Sequence, residues 1–197
     1  QIFTSGTTAA PKAALLRHSN LLGYILGSVE FMSAEESDAQ LVCVPPYHIA
    51  GISALMSSIY SMRCIVLLPA FEPDAWLKLC EEEKITNAFL VPTMLQRVIA
   101  RMEEKGDNTL PSVKSIAYGG GRMPPELIAK ALDLFPNCNF TNAYGLTETS
   151  STVALLTPED HRTAHQSDDP KIQARLGSVG KPLPTIELEI RDDEGNV

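Results

Sequence analysis

Asn87-Ala88-Phe89-Leu90-Val91-Pro92-Thr93-Met94-Leu95-Gln96-Arg97-Val98-Ile99-Ala100-Arg101-Met102 reads as one complete strand-to-helix unit. Asn87 to Val91 is a short apolar run with strand character. Pro92 has the fixed φ that suits the first turn of a helix. Beyond it, Leu95, Val98, Ile99 and Met102 recur at three- and four-residue intervals, the spacing of one buried helix face. The same unit repeats on both sides. Strands are expected near residues 41, 64, 87, 114 and 139, with a helix in each gap. That alternation predicts an α/β fold, a largely parallel β-sheet layered with helices.

Working back from this unit, Ser19 or Asn20 can cap a helix running to about Met32, with Leu21, Leu22, Ile25, Leu26 and Val29 on its apolar face. Gln40 to Val44 is a strand stopped by Pro45-Pro46. Tyr47-His48-Ile49-Ala50-Gly51 opens a helix to about Met62. Arg63 to Leu68 is a continuously apolar strand, expected to be covered on both faces. Pro73 starts a helix through Lys84 that turns Trp76, Leu79 and Cys80 inward. Working forward, Val113 to Tyr118 is a strand ended by Gly119-Gly120-Gly121. Pro124 and Pro125 begin a helix facing inward with Leu127, Ile128, Ala131 and Leu132. Cys138 to Ala143 is a strand running into Tyr144-Gly145-Leu146-Thr147-Glu148-Thr149. Residues 1–150 are thus expected to form one α/β region. Residues 151–197 are expected to be a linker and the truncated start of a β-rich subdomain, with alternation at Thr185–Arg191 and a hairpin turn at Asp192–Asn196.

Composition narrows the function classes. The chain has 197 residues, is 44% hydrophobic and carries a net charge of −8. No lysine/arginine stripe is present, so nucleic acid is not an expected partner. Its apolar runs are too short to make a transmembrane segment. Cys43, Cys64, Cys80 and Cys138 are widely spaced and read as reduced thiols of a cytoplasmic protein. Gln1 is not an initiator Met, and a hydroxyl-rich loop begins almost at once, so the chain reads as part of a longer protein.

That loop is Thr4-Ser5-Gly6-Thr7-Thr8-Ala9-Ala10-Pro11-Lys12. Hydroxyls, backbone N–H groups and one mobile cation suit it to a polyanion, although the ordinary P-loop pattern is missing. In parallel sheets, ligands sit beyond the carboxyl ends of the strands. Pro46-Tyr47-His48, Gly119 to Gly121 and Tyr144 to Glu148 fall at such ends. Four loops are therefore expected to converge on one crevice.

Taken together, the loop Thr4–Lys12, Tyr118-Gly119-Gly120-Gly121, Asn142-Ala143-Tyr144-Gly145-Leu146-Thr147-Glu148-Thr149 and Gly177-Ser178-Val179-Gly180-Lys181-Pro182 resemble the adenylate-forming (AMP-binding) superfamily. Acyl-CoA synthetases, luciferases and peptide-synthetase adenylation domains belong to it. The resemblance covers essentially the whole chain, as the middle of the family's large N-terminal domain. It implies activation of a carboxylic acid by ATP to an acyl-adenylate, with release of pyrophosphate and capture by a thiol such as CoA. It also implies that Thr4, Ser5, Gly6, Thr7, Thr8 and Lys12 hold the β- and γ-phosphates, and that Glu148 ligates Mg2+. Thr147 would contact the α-phosphate. Gly119, Gly120, Gly121, Asn142, Ala143, Tyr144 and Gly145 would line the nucleotide site, with Tyr144 stacked on adenine. His48 would line the acyl pocket near the reacting carboxylate. His-Ile-Ala-Gly, without a following aspartate, favours a simple acid over an amino acid.

His18, His161 and His165 read as solvated or locally bonded side chains, and a His161/His165 metal pair is disfavoured by Pro158. Two positions depart from the family: Ala9 and Ala13 stand where glycine is usual, which would strain the loop if either backbone needs a positive φ. The resemblance implies that the family's ribose-binding aspartate and mobile C-terminal domain are to be expected beyond residue 197. Two alternatives accompany the CoA reading. One is adenylation for a carrier-protein phosphopantetheine thiol or an amine acceptor. The other is a non-catalytic nucleotide- or acyl-binding relative.

Overall fold

A computed structural model describes residues 1–4, 12–106 and 109–197. The chain opens with a two-stranded antiparallel hairpin, β1 (Ile2–Thr4) and β2 (Lys12–Ala14), in which Thr4 pairs with Lys12. Helix α1 (His18–Ser28) follows, then β3 (Ala39–Val42), α2 (Ile49–Ser61), β4 (Cys64–Leu67) and α3 (Pro73–Glu82). Next come β5 (Asn87–Leu90), α4 (Pro92–Lys105), β6 (Ser115–Tyr118), α5 (Pro125–Leu134), β7 (Asn139–Leu146) and β8 (Ser151–Leu156). The described chain then runs through α6 (Pro158–Gln166), α7 (Pro170–Gln173), a 3-10 turn (Ala174–Gly177) and β9 (Lys181–Pro182).

Seven strands make one sheet in the order β4-β3-β5-β6-β7-β8-β9. Its first five are mutually parallel, while β8 and β9 are antiparallel additions. The predicted parallel α/β sheet is therefore present. Strand β3 connects outward to β4 on one side, while β5 leads on to β6 and β7 on the other. The strand order reverses between β3 and β5, the place where open α/β sheets take ligands.

Alternation along the strands sorts residues onto two faces. Leu41, Ala88, Leu90, Ile116, Tyr118 and Phe140 face the main core. Helices α3 to α6 close that core with Trp76, Cys80, Ile128, Ala164 and the stripe Leu95, Val98, Ile99 and Met102. Burying an aliphatic side chain of this size contributes about 1.5–3 kcal/mol, so the α4 stripe alone is a large stabilising term. Proline occupies the first turn of α3, α4, α5 and α6, where its missing N–H costs nothing.

Several expectations are corrected. Helix α1 ends at Ser28, where Val29 turns extended, and of its expected apolar face only Ile25 is buried. Strand β4 is an edge strand, with Cys64 and Leu67 exposed, so its apolar run does not mark burial on both faces. No strand forms at Thr185–Arg191, although Asp192 does close a turn by accepting the Gly195 N–H at 3.0 Å. Ser151–Leu156, within the segment expected to be a linker and the start of a separate subdomain, is a strand of the main sheet, and residue 150 lies in the turn between β7 and β8.

Candidate active site

The other sheet face does not close tightly against α1 and α2. Between them runs a cavity of about 420 Å3. Its sheet wall is built in rungs fixed by strand register. Gln40, Asn87 and Ser115 form the lowest rung, at the amino ends of β3, β5 and β6. Phe89, Ala117 and Thr141 form the next. Ala143, Gly145 and Gly120 border the upper end, beside the carboxyl ends of the strands. The helix wall contributes Tyr24 from α1 and Ile49, Ala50, Ser53 and Ala54 from α2.

The Gly119 turn sits at this upper end for a steric reason. A Cβ on Gly119 would lie 2.4 Å from the Ala143 carbonyl oxygen, and Gly120 has φ +73°. The first of these glycines is thus required by close strand packing, and the second by a left-handed turn. His48 ends the β3–α2 connection with extended backbone at the N-cap of α2 and is exposed, its ring 4.9 Å from that of Tyr47. The next residues, Ile49 and Ala50, line the cavity, and His48 directly precedes them in the chain.

The expected strand Cys138–Ala143 runs on through the first part of the expected loop Tyr144–Glu148. Asn142 to Leu146 belong to β7, and only Thr147 to Ser150 form the turn into β8. Thr149 Oγ1 holds this turn, accepting the Leu146 N–H at 2.9 Å and donating to main-chain oxygens of the hairpin. Thr147 is half-buried at the turn, whereas Glu148 is exposed. Tyr144 is 40% exposed, which leaves a ring face available for stacking. Register shifts between Tyr144 and Gly145, so Val153 is an extra residue in β8. Such bulges recur beside active sites because they re-aim neighbouring side chains. Ser150 and Ser151 carry φ +60° and +107°, and a Cβ on Gly145 would meet Ser151 O at 1.8 Å. Nothing in the residue types Ser-Ser announces this left-handed turn, and it went unpredicted.

Asn142 also ties two motifs together, donating through Nδ2 to Ser178 O at 3.0 Å. Thr4 and Lys12 face each other across the β1–β2 ladder, and the Thr4 hydroxyl donates to Lys12 O at 3.4 Å. Ser5, Gly6, Thr7, Thr8 and Ala9 lie outside the described residues. Ala13 is extended and pairs with Phe3, so no positive φ is demanded there.

The histidines separate into different roles. Pro158 begins α6 rather than breaking it, with Thr157 as its N-cap. His161 is fully buried, bonded to Tyr118 Oη and to Thr157 O, each at 2.7 Å. Burial depresses its pKa below the ordinary value. His165 instead meets Asp133 at 2.7 Å. Among the described residues, no group of three or more His, Cys, Asp or Glu side chains could hold a metal. Glu148 alone is still compatible with Mg2+, which keeps several waters and binds through one or two carboxylates plus substrate phosphates.

The fold places these segments near the carboxyl ends of a parallel sheet, where open α/β folds take ligands. The chain belongs to the AMP-binding enzyme family, whose model matches residues 1–197. It is 34% identical to the 2-succinylbenzoate–CoA ligase of Arabidopsis thaliana, a chloroplastic/peroxisomal protein, over 98% of this chain and 35% of that one. It is similar to o-succinylbenzoate CoA synthetase (MenE) from Bacillus subtilis. The structure of that protein with the acyl-adenylate intermediate OSB-AMP matches at 30% identity and a TM-score of 0.80, over 99% of this chain and 37% of that one. The same protein has been solved with ATP and magnesium ion, at 29% identity and a TM-score of 0.80, over 100% of this chain and 38% of that one. The amide bond synthetase McbA from Marinactinospora thermotolerans matches at 29% identity and a TM-score of 0.81, over 98% of this chain and 36% of that one. The chain thus spans little more than a third of the length of these relatives.

Proposed function

We propose that the protein carrying this chain activates a carboxylic acid with ATP and passes the acyl group to the thiol of CoA. A carboxylate oxygen attacks the α-phosphorus, an O–P bond forms, and the bond to pyrophosphate breaks. The thiol sulfur then attacks the acyl carbon, the thioester forms, and AMP leaves with its electron pair. The observation that supports this reading is the cavity end lined by Gly120, Ala143, Gly145 and Ser151, next to the Thr147–Ser150 turn.

In this reading the acid lies along the sheet between α2 and β5–β7, its carboxylate toward Gly120 and Gly145. His48 positions that carboxylate. Tyr144 stacks on adenine, with Gly119 to Gly121, Asn142, Ala143 and Gly145 forming the floor beneath the nucleotide. Thr147 donates its hydroxyl to an α-phosphate oxygen. Thr4, Ser5, Gly6, Thr7, Thr8 and Lys12 steady the β- and γ-phosphates. Glu148 would hold Mg2+, which when bound neutralises the charge spread over the phosphates. Positioning of this kind converts the encounter of two anions into an in-line displacement.

The acceptor is proposed as CoA because the ligase relatives name it. McbA, by name an amide bond synthetase, is equally similar in fold, which supports an amine acceptor as the second reading. No helix among the described residues is long and apolar enough to cross a membrane. A cytoplasmic setting is part of the proposal and rests on four unpaired cysteines, three of them buried.

ATP–pyrophosphate exchange, scanned over fatty, aryl and short acids with 2-succinylbenzoate included, tests the first step. Exchange dependent on one class of acid is the expected result. A folded protein giving no exchange with any acid overturns the proposal.

A further inference from the structure

Gly119, Gly120 and Gly121 follow β6 without a side chain among them. Gly120 and Gly121 are exposed, and Gly120 has φ +73°. Glycine loses more conformational freedom on ordering than any other residue. Three in a row cannot hold their own position, so their shape is set by what flanks them. On one side comes Met123, which is buried. On the other comes Tyr118, the last residue of β6 and fully buried in the core on the far side of the sheet from the cavity.

The Tyr118 hydroxyl donates to His161 Nε2, and His161 Nδ1 donates to Thr157 O, each at 2.7 Å. The two rings meet edge to face at 5.6 Å. An apolar pair would fill the same volume but would leave the rings free to slide. Two hydrogen bonds in series instead fix the hydroxyl against the first turn of α6. That turn is itself closed by Thr157, whose Oγ1 donates to Asp160 Oδ2 at 2.7 Å and accepts the Asp160 N–H at 3.2 Å. Helix α6 packs in turn on the 3-10 segment Ala174–Gly177. Ser178 follows, and its carbonyl oxygen accepts Asn142 Nδ2, one residue before the Ala143 on which Gly119 rests. Both supports of the glycine turn, Tyr118 from before it and the Asn142–Ala143 stretch beside it, are therefore fastened to the same helical segment.

We infer that Tyr118 and His161 are positioning residues for the nucleotide, their bond holding the Gly119–Gly121 turn in the shape that receives it. This rests on the reading above, in which the nucleotide lies on that turn, and adds two residues from the opposite side of the sheet. Neither side chain touches the nucleotide, and both act through the main chain of Gly119. A turn ordered beforehand does not have to be ordered by ATP. Loss of the bond therefore weakens ATP binding and leaves the acid site and the chemical step as they were.

The test measures ATP–pyrophosphate exchange in the full-length protein and in Tyr118→Phe, His161→Leu and the double variant Tyr118→Phe/His161→Leu. KM for ATP should rise about fivefold in each, the factor that one hydrogen bond of ordinary strength supplies. Values of kcat and of KM for the acid should stay within about twofold. The double variant separates positioning from simple stability. It strands neither partner, so its urea midpoint should recover relative to the summed losses of the single variants, while its KM for ATP stays raised. A KM for ATP that recovers with the midpoint overturns the proposal. So does a KM for ATP unmoved in Tyr118→Phe, or a fall in kcat alone. Should the leucine variants fail to fold, Tyr118→Phe, which removes a single oxygen atom, decides by the same split. If no acid supports exchange, the activation reading fails separately. Calorimetry with ATP and Mg2+ then judges the pair: binding about fivefold weaker in Tyr118→Phe supports it, and unchanged or absent binding overturns it.

Discussion

Tyr118 and His161 meet at 2.7 Å in the fully buried core, and Thr157 fixes the direction of their bond. The Thr157 carbonyl can only accept, so Nδ1 carries the imidazole proton and donates to it. Nε2 is left as an acceptor for the Tyr118 hydroxyl. This pair fastens the end of β6, immediately before the Gly119 turn, to α6.

The pair predicts a stability profile with pH. His161 titrates below its ordinary value when folded, because burial disfavours the charged ring. The unfolded chain then binds a proton that the folded chain does not. Stability is unaffected above about pH 6.5 and falls as pH drops through that value. Urea unfolding between pH 8 and 5 should show this slope, and His161→Leu/Tyr118→Phe should flatten it. Tyr118→Phe alone strands Nε2 and should cost about 1–3 kcal/mol. The double variant should cost less than the sum of the two single ones.

Gly145→Ala places a methyl group 1.8 Å from Ser151 O, a main-chain atom that cannot step aside alone. The β7–β8 hairpin must open to admit it, at a cost of about 2 kcal/mol or more. The measured outcome should be a lower urea midpoint together with weaker ATP binding by calorimetry.

Ser151 holds φ +107°, a region costly for any residue with a side chain. Ser151→Gly should raise stability by about 1 kcal/mol if the Ser151 hydroxyl adds nothing, while Ser151→Val should lower it by at least as much. Thermal melts of both variants check the sign.

Ala13 lies in β2 with extended backbone, so restoring glycine there brings no relief. Ala13→Gly should leave ATP affinity within about twofold and weaken the hairpin by about 0.5–1 kcal/mol. A tenfold gain in affinity by calorimetry would show that the alanine had impaired the site.

Glu148→Gln removes the carboxylate assigned to Mg2+ while keeping the shape of the turn. Exchange should fall by about a hundredfold, and the Mg2+ concentration giving half-maximal rate should rise. An unchanged Mg2+ requirement would remove Glu148 from that role.

Much of this was legible in the sequence where one residue type has one physical use. Pro73, Pro92 and Pro125 announced helix starts, and Leu95, Val98, Ile99 and Met102 announced a buried face. Other features depended on neighbours that the chain order does not reveal. The Cys64–Leu67 run looks like a buried strand, yet the sheet ends beside it. His161 looks like a surface histidine in a polar segment, and only the packing of α6 against β6 buries it. Within the candidate site, the motif residues and His48 were proposed from the sequence. Gln40, Arg63, Asn87 and Ser115 were not, because their shared space exists only through strand register and the offset of α1 and α2 from the sheet.

The most direct measurement follows oxygen from the acid. With 18O-labelled carboxylate, ATP and CoA, acyl transfer through an adenylate leaves one acid oxygen on AMP. Mass spectrometry of the products should find AMP carrying a single 18O, together with unlabelled pyrophosphate. Label in inorganic phosphate with formation of ADP, or AMP free of label, would contradict the account.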